Sequence, residues 1–205
     1  MKHKVTLVNK FYLKMITIAV LTLLGRQSLE AVTTKDVFAK YPNEYFVESG
    51  GLFGDGIQMA IDAGFRKIYS IELKPSFHRH NCRRFASSPF VNLVLGDTTK
   101  MLPLVLKNID APATFWLDGH YSGAGTGKGK TNTPLLQELD HIRRHHIKTH
   151  TILIDDVRQF GTWEMDFITL DEVVEKVRSI NPNYKFLFED GFIPNDVLVA
   201  VVRNR

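Results

Sequence analysis

The chain has 205 residues, of which 44% are hydrophobic, and a formal net charge of +4. That length gives one globular domain with a sizeable core and leaves no room for a second full domain. Cys82 is the only cysteine, which excludes an intrachain disulfide and a cysteine-rich metal site. The basic residues concentrate in two patches, 74–84 and 143–148, without an RNA- or DNA-binding motif. We interpret the patches as solvated helix faces and expect no nucleic-acid partner.

The first 31 residues allow two interpretations. Four lysines precede the mostly apolar run of residues 15–24, which is the order of parts in a secretory signal peptide. A run of ten residues is too short to span a bilayer, so we expect no membrane span. The stretch Leu29-Glu30-Ala31 is a poor cleavage signal, because leucine stands where a small residue is needed. We favour a helix that packs on the sheet of a cytoplasmic protein, with export as the alternative, and place the main domain at residues 32–205.

From residue 46 onward, short apolar runs alternate with amphipathic segments of helical length. The predicted strands are residues 46–49, 67–72, 91–97, 114–118, 151–156, 184–189 and 197–202, and the predicted helices are residues 56–63, 75–85, 99–107, 134–147 and 169–180. Only residues 190–196 separate the last two strands, which is too short for a parallel crossover, so these strands form an antiparallel hairpin. The pattern predicts an α/β fold: a Rossmann-like, seven-stranded, mostly parallel sheet with helices on both faces.

An acidic residue closes each of the first five predicted strands. In such sheets ligands bind outside the carboxyl ends of the parallel strands, so these positions are candidates for a site. They are Glu48, Glu72, Asp97, Asp118, and Asp155 with Asp156. Carboxylates gathered at one sheet edge repel each other unless a cation or hydrogen-bond donors compensate them. The pattern favours a bound ligand; the alternative is that some of these acids cap the following helices.

The first strand leads into a glycine-rich turn, residues 48–56, and then into a helix. Glycine lets the backbone approach a ligand, and an acid that closes the second strand can accept hydrogen bonds from both hydroxyls of a ribose. From about residue 45 to its end, the chain resembles the class I S-adenosylmethionine (SAM)-dependent methyltransferases. The resemblance implies SAM as the cofactor, bound by Glu48, Gly50, Gly51 and Gly54 at its amino-acid end, by Glu72 at the ribose, by Asp97 near the adenine, and by Asp118.

One position of the turn departs from that family's most frequent pattern. Leu52 stands where a glycine is usual, two positions after Gly50. The resulting Glu-x-Gly-x-x-x-Gly form is similar to the turn of the macrocin-type sugar O-methyltransferases, so the expected fold is unchanged.

The fourth and fifth predicted strands end in Asp118, Asp155 and Asp156, and we expect these strands to be neighbours. Converging aspartates offer hard oxygen ligands and leave positions open for water or substrate. The arrangement resembles the metal-dependent O-methyltransferases of the catechol and macrocin types, which implies Mg²⁺ on all three aspartates. It also implies methyl transfer to a small-molecule or sugar hydroxyl, with Asp118 in the catalytic site. The alternative without a metal makes Asp118 an acceptor to the cofactor and the other two aspartates a loop cap.

Histidines occur both next to the predicted site and away from it. His120 lies two residues after Asp118, and the usual pKa of histidine suits proton removal from a hydroxyl. We predict His120 as the catalytic base, with a solvated loop histidine as the alternative. We interpret a second group as the wet face and tail of the fourth predicted helix, with no role in the site: His141, His145, His146 and His150.

The loop of residues 121–133 is rich in glycine, lysine and threonine and should be a mobile loop above the site. Tyr121 in this loop, with Phe160 and Trp163, is a candidate to stack on the acceptor, with a core or interface position as the alternative.

Residues 124–131 of the same loop match a relaxed P-loop, and residues 152–156 would then be a Walker B strand, as in a nucleotide triphosphatase. The match begins with alanine, starts several residues after its strand ends, and leaves too little chain after it for most of a sheet. A third alternative is a methyltransferase-like domain that binds ligands without catalysis. A homo-oligomer is compatible with all three.

Overall fold

Seven strands and the helices between them make up the domain that the computed structural model describes, over residues 35–123 and 125–202. The strands are β1 (Tyr45–Ser49), β2 (Ile68–Glu72), β3 (Val91–Leu95), β4 (Ala113–Leu117), β5 (Thr151–Ile154), β6 (Lys185–Glu189) and β7 (Val197–Val201). The helices are α1 (Lys35–Ala39), α2 (Asp55–Asp62), α3 (Pro75–Arg84), α4 (Thr98–Leu106), α5 (Leu135–Arg144) and α6 (Leu170–Arg178), with 3₁₀ turns at Val157–Gln159 and Trp163–Met165.

The predicted N-terminal segment, residues 1–31, lies outside the described residues. Within residues 35–123 and 125–202, no helix is long and apolar enough to cross a bilayer.

The strands form one sheet in the order β3-β2-β1-β4-β5-β7-β6. Strands β1 to β5 pair in parallel, whereas β7 pairs antiparallel with both β5 and β6. The predicted α/β fold, the terminal hairpin and the neighbouring fourth and fifth strands are therefore confirmed. The strand order reverses between β1 and β4, and a crevice opens at such a switch point because the connections on its two sides lead away from each other.

Both faces of the sheet are covered, as predicted. Successive residues of β4 point to opposite faces: Phe115 belongs to the apolar cluster under α4, α5 and α6, and Trp116 to the cluster under α1 and α2. The strand β1 is buried along its whole length. Strands buried on both faces need no polar alternation, which explains the continuous apolar runs in the sequence.

Helix α6 shows how local sequence sets the helix boundaries. The Thr169 side chain accepts from the backbone N–H of Glu172, and the Glu172 carboxylate accepts in return from the Thr169 N–H. This capping box satisfies two amides of the first turn and fixes where the helix begins. Val173 and Val177, one turn apart, are the buried residues of the helix and face the sheet.

The interpretation of the α5 histidines as a wet face and tail is wrong for two of them. Helix α5 ends at Arg144, and His145 and His150 lie in the interior, with His150 0% exposed. The Ala113 N–H donates to His150 Nδ1 at 3.0 Å, so a neutral His150 carries its proton on Nε2 and donates it to His145 Nδ1 at 2.9 Å. The predicted helix continues past Arg144 to residue 147, which would place these rings on its solvent face and in the tail that follows it.

We expect His150 to make the stability of the protein depend on pH. Burial, followed by the charges of His145, His146 and Lys148, lowers the pKa of His150 from 6.5 to about 3. Between these values the unfolded chain binds more protons than the folded one, so the contribution is complete above pH 6.5 and is lost as the pH falls toward 3. Between pH 7 and 5 the free energy of unfolding should fall by about 2 kcal/mol more in the wild type than in His150→Asn.

Urea unfolding at pH 7, 6 and 5 measures this difference. The amide oxygen of the Asn variant can still accept from Ala113 but does not titrate. His80→Asn, at an exposed position of α3, is the matched control and should retain the wild-type dependence. Parallel curves for wild type and His150→Asn would show that the buried ring does not supply the effect.

Candidate functional site

The turn after β1 brings the ends of β1 and β4 into contact. Gly50 has φ +84°, and a Cβ at this position would lie 2.4 Å from the backbone oxygen of Asp118. The Asp118 N–H donates to the carbonyl of Ser49 at 3.3 Å, and the Gly50 N–H donates to the carbonyl of Ile71 at 2.9 Å. Only glycine combines this φ with so close an approach, so Gly50 sets the spacing at the switch point of the sheet.

Leu52, the position at which the turn departs from the usual glycine, has a left-handed backbone with φ +39°. Its N–H donates to Glu72 Oε2 at 2.8 Å, and its carbonyl accepts from Asn81 Nδ2 at 3.1 Å. The second oxygen of Glu72 accepts from the Lys74 N–H at 2.5 Å. Two backbone amides therefore fix the Glu72 carboxylate, and this clamp holds a leucine in a conformation that glycine adopts more easily.

Glu48, by contrast, lies beneath the turn and does not line the crevice. Its carboxylate accepts from Ser70 Oγ at 2.5 Å and lies so close to Gly56 that a Cβ there would be 1.9 Å from Oε1. Burial, with the charges of nearby acids, raises the pKa of Glu48 to about 8 against the effect of the Ser70 hydrogen bond. This acid supports the start of α2 from below.

The other two predicted glycines also shape the turn and do not line the crevice. A Cβ on Gly51 would meet the Ser70 hydroxyl at 2.6 Å, and one on Gly54 would meet the Phe85 ring at 2.6 Å. Side chains are excluded at both positions by packing within the protein.

A crevice of about 1090 Å³, including its open mouth, lies at the carboxyl ends of β1 to β4. Five predicted site residues line it: Gly50, Glu72, Asp97, Asp118 and His120. Asp97 also caps α4, since its Oδ1 accepts from the N–H and hydroxyl of Thr99 at 2.9 and 2.7 Å. Helix capping, the alternative reading of the strand-end acids, therefore applies to Asp97.

The loop of residues 121–133 borders the crevice, and its described residues Ser122, Thr126, Gly127 and Gly129 to Asn132 line it. Helix α5 begins at Leu135, four residues after Thr131. A P-loop leads its Lys-Thr pair directly into the first turn of a helix, where the backbone amides meet phosphate. The described part of this segment lacks that arrangement, so the fold does not support the nucleotide triphosphatase alternative.

His120 is enclosed by acids, and the alternative of a solvated loop histidine is wrong. Its side chain is 5% exposed, with Nε2 3.1 Å from Asp156 Oδ2 and Nδ1 3.5 Å from Asp118 Oδ1. Burial alone would lower the pKa of His120, but the hydrogen bond and charge of Asp118 and the charges of the other aspartates outweigh burial and raise it.

Asp155 and Asp156 follow β5 on the other side of the same cluster. The Asp156 N–H donates to Asp155 Oδ1 at 2.8 Å, and Asp156, with φ +60°, makes no side-chain cap to the following 3₁₀ turn. A loop cap therefore does not explain Asp156. Burial, followed by the charges of Asp118 and Asp156, raises the pKa of Asp155 to about 8. Burial is the main cause of this shift, and the neighbouring carboxylates add to it.

The described residues contain two overlapping sets of possible metal ligands, and within each set the ligand atoms lie within 4.8 Å of one another. One set is Asp118, His120 and Asp156, and the other is Asp155, Asp156 and Asp196. The sequence-based prediction named Asp118, Asp155 and Asp156, which the structure divides between the two sets. In the part of the chain that the structure describes, two basic side chains, Arg158 and His120, form the ion pairs of this cluster. The cluster contains four carboxylates. The excess of oxygen ligands and of negative charge fits a divalent cation.

Sequence reasoning missed Asp196, Arg158 and Glu138. Glu138 is buried on α5, accepts from the Thr98 hydroxyl and lies beside Gly119; burial raises its pKa to about 7. A signal for it existed, because Leu135, Glu138, Leu139 and Ile142 follow the helical period and form the buried stripe of α5. For Asp196 the signal was its place directly before the last strand. No pattern linked Arg158 to it.

Solved methyltransferases share this fold at low identity. A Podospora anserina methyltransferase bound to S-adenosylhomocysteine (SAH) aligns with TM-score 0.56 and 11% identity, over 83% of this chain and 76% of the other. A Bacillus cereus O-methyltransferase in complex with SAH aligns with TM-score 0.56 and 13% identity, over 93% and 89%. The Streptomyces achromogenes O-methyltransferase TomG, in complex with SAM, gives 0.54 and 15%, over 83% and 78%.

No protein-family model matches the sequence, and no curated protein matches it. The structural likeness confirms that the chain has the class I methyltransferase fold predicted from its resemblance.

We expect Gly50→Ala to lower the free energy of unfolding more than the same change at a glycine with open surroundings. Alanine at Gly50 combines positive φ with a clash against the Asp118 backbone, and should cost about 3 kcal/mol or more of unfolding free energy. Gly64→Ala is the matched control: it has φ +101° but no atom within 4 Å, and should cost about 1 kcal/mol. Urea unfolding of both variants gives the comparison, and equal losses would contradict a role for the β1–β4 contact.

Proposed function

We propose that this protein is a SAM-dependent methyltransferase that transfers the methyl group to a hydroxyl of a small molecule or sugar with the help of a divalent cation. The observation that carries the proposal is the position of the acidic cluster. Asp118 and His120 of this cluster line a crevice at the switch point of a methyltransferase fold, and the cluster has four carboxylates against two basic side chains, His120 and Arg158.

The crevice suits a positively charged nucleoside cofactor. The Glu72 carboxylate lines it in an orientation fixed by the amides of Leu52 and Lys74, and its remaining lone pairs can accept from ribose hydroxyls without reorganisation. Asp97 and Asp118 also line the crevice, and carboxylates attract the sulfonium of SAM. Glu48 would contribute by holding the turn in place from below.

Asp118, Asp155 and Asp156 would hold the cation. A divalent cation bound there would lower the pKa of an acceptor hydroxyl and orient its oxygen. The methyl group passes from the sulfonium to that oxygen, SAM becomes SAH, and the hydroxyl proton goes to His120. His120 lines the crevice, and the acids around it stabilise its protonated form.

The aromatic residues differ in their suitability for acceptor binding. Phe160 packs against the apolar core under α6, in line with the alternative of a core position. Tyr121 and Trp163 lie on either side of Lys128, whose ammonium is 4.9 and 5.2 Å from the two ring centroids. Trp163 remains half exposed. We assign acceptor contacts to Tyr121, which directly follows His120 in the chain, and to Trp163.

We expect Glu72→Gln to weaken SAH binding at least tenfold, or about 1.4 kcal/mol. The amide keeps the shape of the side chain but places an NH₂ group against one of the two backbone donors that now point at the carboxylate. Calorimetric titration with SAH measures the loss, with ATP as the control ligand and Glu175→Gln, an exposed position of α6, as the control variant. Unchanged SAH affinity would contradict the cofactor site, and binding of ATP alone would favour the P-loop alternative.

We expect Asp155→Asn to weaken Mn²⁺ binding at least tenfold while SAH affinity changes less than about twofold, because a neutral amide is a much poorer ligand for a hard cation. The Asn oxygen can still accept from the Asp156 N–H, so the loop should keep its conformation. Titration with Mn²⁺ in the presence of SAH gives the comparison. Asp190→Asn, at an exposed position of the hairpin, is the control, and equal Mn²⁺ affinity in the two variants would eliminate Asp155 as a ligand.

A further inference from the structure

Asp156 belongs to both sets of ligand atoms in the acidic cluster. The first set also contains Asp118 and His120, which line the crevice, and the second also contains Asp155 and Asp196, which do not. The two carboxylate oxygens of Asp156 face different partners: Oδ2 lies 3.1 Å from His120 Nε2, and Oδ1 lies 2.5 Å from Arg158 Nη1. A cation that binds this cluster therefore has two competing positions.

Arg158 already occupies the Asp156–Asp196 side of the second set. Its Nη1 bridges the carboxylates of Asp156 and Asp196, and its backbone N–H donates to Asp196 Oδ1 at 3.0 Å. The Asp196 side chain is 0% exposed, and the guanidinium lies under the Phe192 ring, 4.9 Å from its centroid. A buried carboxylate requires a charged partner, and here both of its oxygens have one donor from the same arginine.

We propose that Arg158 is a positioning residue that acts as a permanent cation between Asp156 and Asp196 and thereby confines the divalent cation to Asp118, Asp155 and Asp156. This inference rests on the metal-assisted part of the proposed function. Without Arg158, three carboxylates within 4.8 Å of one another would face each other without their cation, and a divalent ion would enter beside Asp196. Arg158 also holds Asp156 in the orientation that directs Oδ2 toward His120.

The test counts the Mn²⁺ ions bound per chain, by calorimetry and by electron paramagnetic resonance of the free ion, in the presence of SAH. The wild type should bind one ion and Arg158→Met two. Arg158→Lys, which keeps a cation at this position, should bind one. Asp196→Asn added to Arg158→Met should return the count to one. A purely structural role of Arg158 would lower stability in these variants and would not add an ion.

A second variant tests the same inference without leaving the buried Asp196 carboxylate unpaired. Asp196→Asn alone should leave the count at one and the Mn²⁺ affinity within about twofold of the wild type, because Asp196 is not a ligand when Arg158 is present. Loss of Mn²⁺ binding in this variant would place the ion beside Asp196 and overturn the inference.

The outcomes also separate this inference from the proposed function. If the wild type binds no Mn²⁺ and Arg158→Met binds one, Arg158 still excludes a cation from the position beside Asp196, whereas the metal-assisted part of the proposed function fails. If a folded Arg158→Met binds no more Mn²⁺ than the wild type, the inference is overturned. Purification of Arg158→Met with Mn²⁺ present supplies the missing positive charge if the variant is otherwise unstable.

Discussion

Crowding of negative charge at one edge of the sheet is the constraint on which the site depends. Asp118, Asp155, Asp156 and Asp196 come from three strand ends and meet within a few ångströms, since β4, β5 and β7 are adjacent. Repulsion between buried carboxylates is costly. Arg158 bridges two of the acids, and His120 is enclosed between two. Burial and the neighbouring acids raise the pKa of Asp155. A bound divalent cation would complete this compensation.

The glycine turn is the backbone counterpart of that electrostatic arrangement. Gly50 allows the end of β1 to pack directly against the Asp118 backbone. Glu48 and Glu138, two acids with raised pKa values, lie beneath the turn and beside Gly119. Glu48 accepts from Ser70 and lies against Gly56 at the start of α2, and Glu138 accepts from Thr98 at the start of α4.

The sequence was most informative about features that repeat along the chain. Alternation of apolar runs and amphipathic segments predicted all seven strands to within two residues at each end, and the seven-residue link before Val197 predicted the hairpin. An acid after each early strand predicted the edge at which the site lies. Gly50, Glu72, Asp97, Asp118 and His120 line one crevice, because topology brings the carboxyl ends of parallel strands to one edge.

Features that depend on side-chain packing could not be read in the same way. Whether Glu48 points into the crevice or beneath the turn depends on Ser70 and Gly56, which lie on other elements. Arg158 and Asp196 are 38 positions apart, and their pairing follows from the insertion of β7 next to β5. His145 and His150 are interior because α5 ends at Arg144, and a periodic pattern locates the end of a helix poorly.

We propose that the crevice at the β1–β4 switch point binds SAM beside a divalent cation. Diffraction from crystals grown with SAH and Mn²⁺ tests it most directly, because anomalous scattering locates manganese independently of the atomic coordinates. We predict SAH in the crevice with its ribose at Glu72, and one manganese peak next to Asp118 on the crevice side of Asp156. SAH density at another surface, or a manganese peak beside Asp196, would contradict it.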